Sequence, residues 1–300
     1  FRSPCLSDSA IASALAHPAP KTAFFMGASA DAIAESLKHG LRKVVWAELD
    51  PKLLALRRKY ATADSRGVFR DPRVRIVAQD PRRFLAATNE KFDAITILAG
   101  APETISLNRY FTVEAFRIMS RSLNPGGVIA ITVPFTENYM GPTEKALLGS
   151  ILLSVRRAEL ENFRFVIGPR PLLLIGDGTP GPEEAAERFA ARAIRARHFD
   201  APLAAYYFDQ SLADAALMQF GDDPVAFLGE RDKTAAAEAH LTRRDRGATL
   251  NTDMRPAALF LHVRYASAHY RGSVIGRLLS GDRGPALLFI PGVVFCLLYT

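Results

Sequence analysis

Between positions 21 and 176 two hydrophobic patterns take turns along the chain. Short, mostly apolar runs at 21–26, 43–47, 74–78, 92–98 and 128–133 read as buried strands. Runs at 163–167 and 172–175 read as a closing strand pair. Between them, apolar residues recur at helical spacing. Over 29–39, Ile33 and Leu37 stand four apart and Ser29 is placed to cap. Asp50 and Pro51 predict a helix start over 51–60, and Asp80-Pro81 predicts another that runs to about residue 88. Further helices are expected over 112–122 and 143–156, and Asn124-Pro-Gly-Gly127 predicts a turn ahead of the fifth strand. Strands alternating with helices build an α/β fold, a doubly wound and mostly parallel sheet of seven strands covered on both faces. Such sheets bind ligands at the carboxyl ends of their strands, which directs attention to Gly27, Glu48, Asp80 and the segment after Leu98.

Beyond this stretch the pattern changes. Thr179-Pro-Gly-Pro182 reads as a linker, and residues 183–245, rich in Ala, Glu and Arg, read as helices. The chain thus divides into an α/β domain over 1–178, a helical extension over 179–262 and a basic segment over 263–300 that leads into an apolar run. That run, from Pro285 to Thr300, holds no charge, and Arg264, Arg271, Arg277 and Arg283 precede it. It is a little shorter than the ~20 apolar residues of a spanning helix. Arginines beside such a run mark the cytoplasmic side, so the expectation is a membrane-associated protein whose soluble domain faces the cytoplasm. A buried C-terminal element with a turn at Pro291-Gly292 is the alternative. The chain opens on Phe1 without a signal-peptide pattern, and its start reads as a cut or processed end.

Composition narrows the classes. The 300 residues are 49% hydrophobic and 23% charged, which excludes a disordered tail, a collagen-like fibre and a disulfide-stapled miniprotein. Cys5 and Cys296 form no Cys-x-x-Cys pair, and His17, His39, His198, His240, His262 and His269 show no ligand spacing, so no metal is expected. A net charge of +7 permits anionic partners. Basic and aromatic residues do not interleave as on an RNA platform, so nucleic acid is not expected. No Gly-x-Ser-x-Gly elbow and no phosphate-loop lysine is present.

Three positions carry candidate chemistry. The loop Met26-Gly-Ala-Ser-Ala-Asp31 joins a strand to a helix N-terminus, where backbone N–H groups can face a ligand. It reads equally as a tight turn. Glu48 falls 21 residues after Gly27, the spacing of the acid that takes ribose hydroxyls in nucleotide folds, and otherwise reads as a solvated strand-end acid. Asp80 ends the third strand, where a carboxylate accepts from an exocyclic adenine amine or caps the helix that follows. Together they suggest an adenosine-type ligand.

The string from Lys21 to Gly176 resembles the spermidine synthase (polyamine aminopropyltransferase) family, which has the class I methyltransferase fold. The segments that carry the resemblance are Leu107-Asn-Arg-Tyr-Phe-Thr-Val-Glu-Ala-Phe116, Leu123-Asn-Pro-Gly-Gly127, Asn138-Tyr139 and the late Leu250-Asn-Thr-Asp-Met-Arg-Pro256. They are most similar to the membrane-embedded branch. The resemblance implies decarboxylated S-adenosylmethionine or S-adenosylmethionine as co-substrate and aminopropyl transfer to a polyamine. It gives Glu48 the ribose and Asp80 the adenine, with Gly27 and Ser29 lining the sulfonium end. It also exposes departures. Ser29 stands where the family loop has an Asp, and Leu98 and Ala101 stand at the acid positions after strand four. The family's Tyr-His-Glu stretch has no counterpart, since residues 7–17 offer only Asp8 and His17. Glu103, and after it Glu137, are the candidates for a displaced acid; Glu103 reads also as a solvated loop residue. The functional readings are therefore a working transferase, a catalytically silent nucleoside-binding or regulatory domain, and an S-adenosylmethionine-dependent methyltransferase. Expected partners are the nucleoside, a polyamine, a membrane and a second copy of the chain.

Overall fold

The computed structural model describes residues 4–269 except 64, 135–141, 197, 212, 213 and 215–249. Seven strands, β1 (Thr22–Met26), β2 (Lys43–Ala47), β3 (Val74–Val77), β4 (Phe92–Ile97), β5 (Leu123–Thr132), β6 (Phe163–Val166) and β7 (Leu172–Ile175), form one sheet. Their order is β3-β2-β1-β4-β5-β7-β6. Strands β1 to β5 pair in parallel, and β7 runs antiparallel between β5 and β6. The expected mostly parallel sheet is the one observed. Met26 pairs with Ala47 on one side and Ile97 on the other, and Ala47 with Val77, so the strand tips stand abreast. The chain reverses direction across the sheet between β1 and β4, which opens a crevice beside the β1 tip.

Alternate strand residues serve opposite faces. Phe24, Val45, Ile95 and Ile129 enter one buried cluster with Phe116 and Met119 of α6 (Val113–Arg121) and Leu148 and Ile151 of α7 (Pro142–Arg157). Phe25, Trp46, Ala94 and Ala130 enter the other. That second face is covered by α1 (Pro4–Ala16), α2 (Ala30–Leu37), α8 (Pro182–Ala191) and α9 (Ala201–Tyr207). Helices α3 (Pro51–Lys59), α4 (Pro81–Ala87) and α5 (Ile105–Asn108) follow the tips of β2, β3 and β4. The helix α10 (Ala257–His269) packs against α7.

Two features differ from the sequence pattern. Helix α1 was not expected, and it is buried on all sides from Asp8 to Ala16. A helix without a polar face has no amphipathic period to read. Arg188 of α8 and Arg192, the C-cap of that helix, satisfy the carbonyls at the end of α1. Arg188 donates to Leu15 O and Ala16 O, and Arg192 donates to Ala14 O, His17 O and Pro18 O. The second difference concerns Asn124-Pro-Gly-Gly127. Instead of preceding strand five, it lies inside it. Phe92 pairs with Leu123 but Ala94 pairs with Val128, so residues 124–127 bulge from a ladder that continues on both sides. Gly126 takes φ +73° in that bulge, and Asn124 Nδ2 ties it to Asp93 Oδ1 at 2.7 Å.

Among the described residues no helix is long and apolar enough to cross a membrane. The apolar run from Pro285, its preceding arginines 271, 277 and 283, Glu137 and Asn138-Tyr139 lie outside the described residues.

Candidate nucleoside site at the strand tips

Gly27 leaves β1 at φ +70°. A Cβ there would stand 2.9 Å from the backbone carbon and oxygen of Leu98. The glycine therefore lets the loop after β1 lie against the chain leaving β4. Ser29 caps α2, its Oγ accepting from Ala32 N at 3.2 Å. Beyond β4, Leu98 is buried, Ala101 is half-buried and Glu103 is exposed. Gly100 N donates to Thr132 Oγ1 at 3.1 Å, which fastens this loop to β5.

Glu48 follows the tip of β2 and is 8% exposed. Its backbone N donates to Val77 O, and Arg57 of α3 approaches its Oε2 at 3.4 Å. The same guanidinium donates to Ala28 O and lies over the Trp46 ring. Burial lowers the Arg57 pKa, and the facing Glu48 charge opposes that loss. Arg57 thus joins the β1 loop to the β2 carboxylate.

Asp80 does two jobs after β3. One carboxylate oxygen caps α4 by accepting from Arg83 N at 2.9 Å, and the other meets Arg109 at 2.6 Å. Tyr110 beside it is buried. Burial first, and then the charges of Asp80 and Glu48, push its phenol up to about 12. The two acids named from sequence therefore stand on neighbouring tips, with Tyr110 within electrostatic reach of both.

Arg109 and Tyr110 belong to the 107–116 segment, and residues 250–259 hold that segment in place. Asn251 is fully buried: its Nδ2 donates to Phe111 O at 2.9 Å and its Oδ1 accepts from Ala258 N at 3.2 Å. Asn108 Oδ1 accepts from Leu259 N at 3.0 Å. Asp253 accepts from Thr112 Oγ1 at 2.9 Å and from both terminal nitrogens of Arg82, which also donates to Arg109 O. Sequence reading singled out both segments without joining them. Their contacts span some 140 to 150 positions, so no local spacing could reveal them.

Residues 12–141 match the family model described as the spermine/spermidine synthase domain. Over that stretch the chain is similar to the spermidine synthase family. The polyamine aminopropyltransferase of Nitrosomonas europaea is 29% identical over 140 residues, covering 46% of this chain and 42% of that protein. Polyamine aminopropyltransferase 2 of Hyperthermus butylicus is 28% identical over 144 residues, 47% of each chain. The matches thus span less than half the length of these relatives. A spermidine synthase crystallised with the transition state analogue AdoDATO aligns with a TM-score of 0.55 at 22% identity, covering 68% of this chain and 71% of the other. The spermidine synthase of Thermotoga maritima aligns at 0.53 and 21% identity, over 68% and 69%. The shared fold is that of the methyltransferase-like sheet described above. In this chain the loop after β1 carries Gly27 and Ser29, and the chain leaving β4 carries Leu98. Glu48 and Asp80 follow β2 and β3, with Arg57 and Arg109 against them, and Glu103 is exposed in the loop after β4.

Proposed function

We propose that this domain binds an adenosyl sulfonium nucleoside, decarboxylated S-adenosylmethionine or S-adenosylmethionine, across the tips of β1 to β4. Glu48 takes the ribose hydroxyls, since a carboxylate accepts from both members of a vicinal diol. Asp80 takes the adenine amine, and Tyr110 lies beside the base. Gly27 and Ser29 line the sulfonium end. The observation that carries this reading is the pair of carboxylates on adjacent, level strand tips beside a positive-φ glycine. The AdoDATO complex of a spermidine synthase with the same fold supports it.

Aminopropyl transfer is the reaction that the aminopropyltransferase relatives suggest. An amine nitrogen attacks the carbon beside the sulfonium and the carbon–sulfur bond breaks. Methylthioadenosine leaves as a neutral thioether, and the amine proton passes to a base. A carboxylate that grips the substrate ammonium offsets the cost of taking that charge out of water. At the positions where the family resemblance expects such acids the chain has Ser29, Leu98 and Ala101. Glu103 is exposed and stands near His262, whose pKa burial lowers and Glu103 raises. We therefore read the site as one that holds the nucleoside and, at those three positions, lacks the acids that grip and activate a polyamine. A positioned base is worth ~10²–10⁴-fold in rate.

Calorimetry with each nucleoside, and a methylthioadenosine assay with decarboxylated S-adenosylmethionine and putrescine, test both halves. Expected is saturable binding with methylthioadenosine formed at least ~100-fold more slowly than by a relative that keeps the acids. Turnover at the relative's rate would overturn the second half, and absence of binding would overturn the first.

A further inference from the structure

Helix α3 is unlike the other helices that flank the sheet, because none of its residues is buried. Leu53 is 37% exposed, Leu56 51% and Tyr60, its C-cap, 67%, with Leu49 just ahead of the helix at 55%. At 100° per residue, Leu53, Leu56 and Tyr60 fall within an arc of ~60°. Lys52 and Lys59 lie seven apart along the edge of that arc, and Arg58 and Lys59 close the helix. The helix holds no acid. Among the described residues Lys52, Arg58 and Lys59 make no ion pair, while the nearby acids are engaged elsewhere. Asp50 accepts from Lys52 N, Glu48 faces Arg57, Asp31 accepts from Thr62 and Asp71 pairs with Arg73. Arg66 and Arg70 add exposed positive charge on the next turn of chain.

We infer that α3 is a docking face for an anionic lipid surface, with the leucine and tyrosine stripe entering the headgroup boundary and the lysines meeting lipid phosphates. An amphipathic face with basic flanks suits that boundary, and its binding rests on apolar area and charge together. Two other partners fit less well. An acidic protein would match the cations and leave the leucines without a partner of their kind. A second copy of this chain would meet its own cations, and a helix of ~13 Å supplies little of the ~800 Å² per partner that a stable dimer buries.

The test uses the full chain with Cys5→Ser and Cys296→Ser, and Leu56→Cys labelled with an environment-sensitive fluorophore. On vesicles of phosphatidylcholine mixed with phosphatidylglycerol the label is expected to shift to the blue and brighten several-fold. On phosphatidylcholine alone it stays at its value in water. Lys52→Glu with Lys59→Glu abolishes the shift. The same label at Ile105→Cys, exposed at a different tip, stays unchanged throughout. A label at position 56 that stays in water on anionic vesicles overturns the inference. So does an equal shift on neutral vesicles, or an equal shift at position 105. A shift that grows with protein concentration without vesicles also overturns it and identifies a second copy as the occupant.

Discussion

His39 is enclosed beneath α2, and Arg192 Nη1 lies 2.8 Å from its Nδ1. A guanidinium can only donate, so the ring accepts there and is neutral. Burial first, and then the charges of Arg192 and Lys38, lower its pKa to about 3. The unfolded chain takes up this proton near pH 6.5 and the folded chain does not. Stability is therefore whole above that pH. It falls by about 1.4 kcal/mol per pH unit as pH drops toward 3, to the extent that His39 dominates. Denaturant unfolding across that range measures the slope, and His39→Gln is expected to flatten it. The proposed site makes Glu48 the residue on which nucleoside binding turns. Glu48→Ala is expected to weaken nucleoside affinity at least ~10-fold, about 1.4 kcal/mol, in an isothermal titration. It also leaves Arg57 without its facing charge, so the variant's thermal midpoint should fall.

At the scale of elements, the strands and the helices after β1, β2 and β3 were legible because apolar runs, caps and helical spacing coincide there. Ser29, Asp50 and Asp80 each accept a hydrogen bond from the first turn of the helix they precede. Helix α1 was hidden because burial on every side erases the period. The β5 bulge was hidden because a turn signal does not tell whether the ladder resumes beyond it. Gly27→Ala joins residue and element: it sets a Cβ against the Leu98 backbone at a positive φ. The expected cost is about 1–3 kcal/mol in denaturant unfolding, with weaker nucleoside binding in the folded fraction. Asn251→Ala strips partners from Phe111 O and Ala258 N inside the core, for an expected loss of roughly 2–4 kcal/mol by the same measurement. Because residues 250–259 hold the segment that carries Arg109 and Tyr110, this variant should also loosen the side of the site proposed to take the adenine.

For the molecule as a whole, Gly27, Glu48 and Asp80 could be picked out in advance because each ends or follows a strand at the expected interval. Arg57, Arg109 and Tyr110 could not, since only the sheet order brings them to the same tips. The acids' neighbours change what the site can do. Arg57 and Arg109 face Glu48 and Asp80, while Ser29, Leu98 and Ala101 put no charge at the three positions where the family resemblance expects acids. On the proposed reading, that contrast separates holding a nucleoside from activating an amine. The claim beneath both is that Glu48 reads the ribose. Calorimetric titration of the protein with 5′-methylthioadenosine and with its 2′-deoxy counterpart tests it most directly. A preference of at least ~10-fold for the ribo form, lost in Glu48→Ala, is the predicted result. Equal affinity for the two forms, or no binding of either, would contradict it.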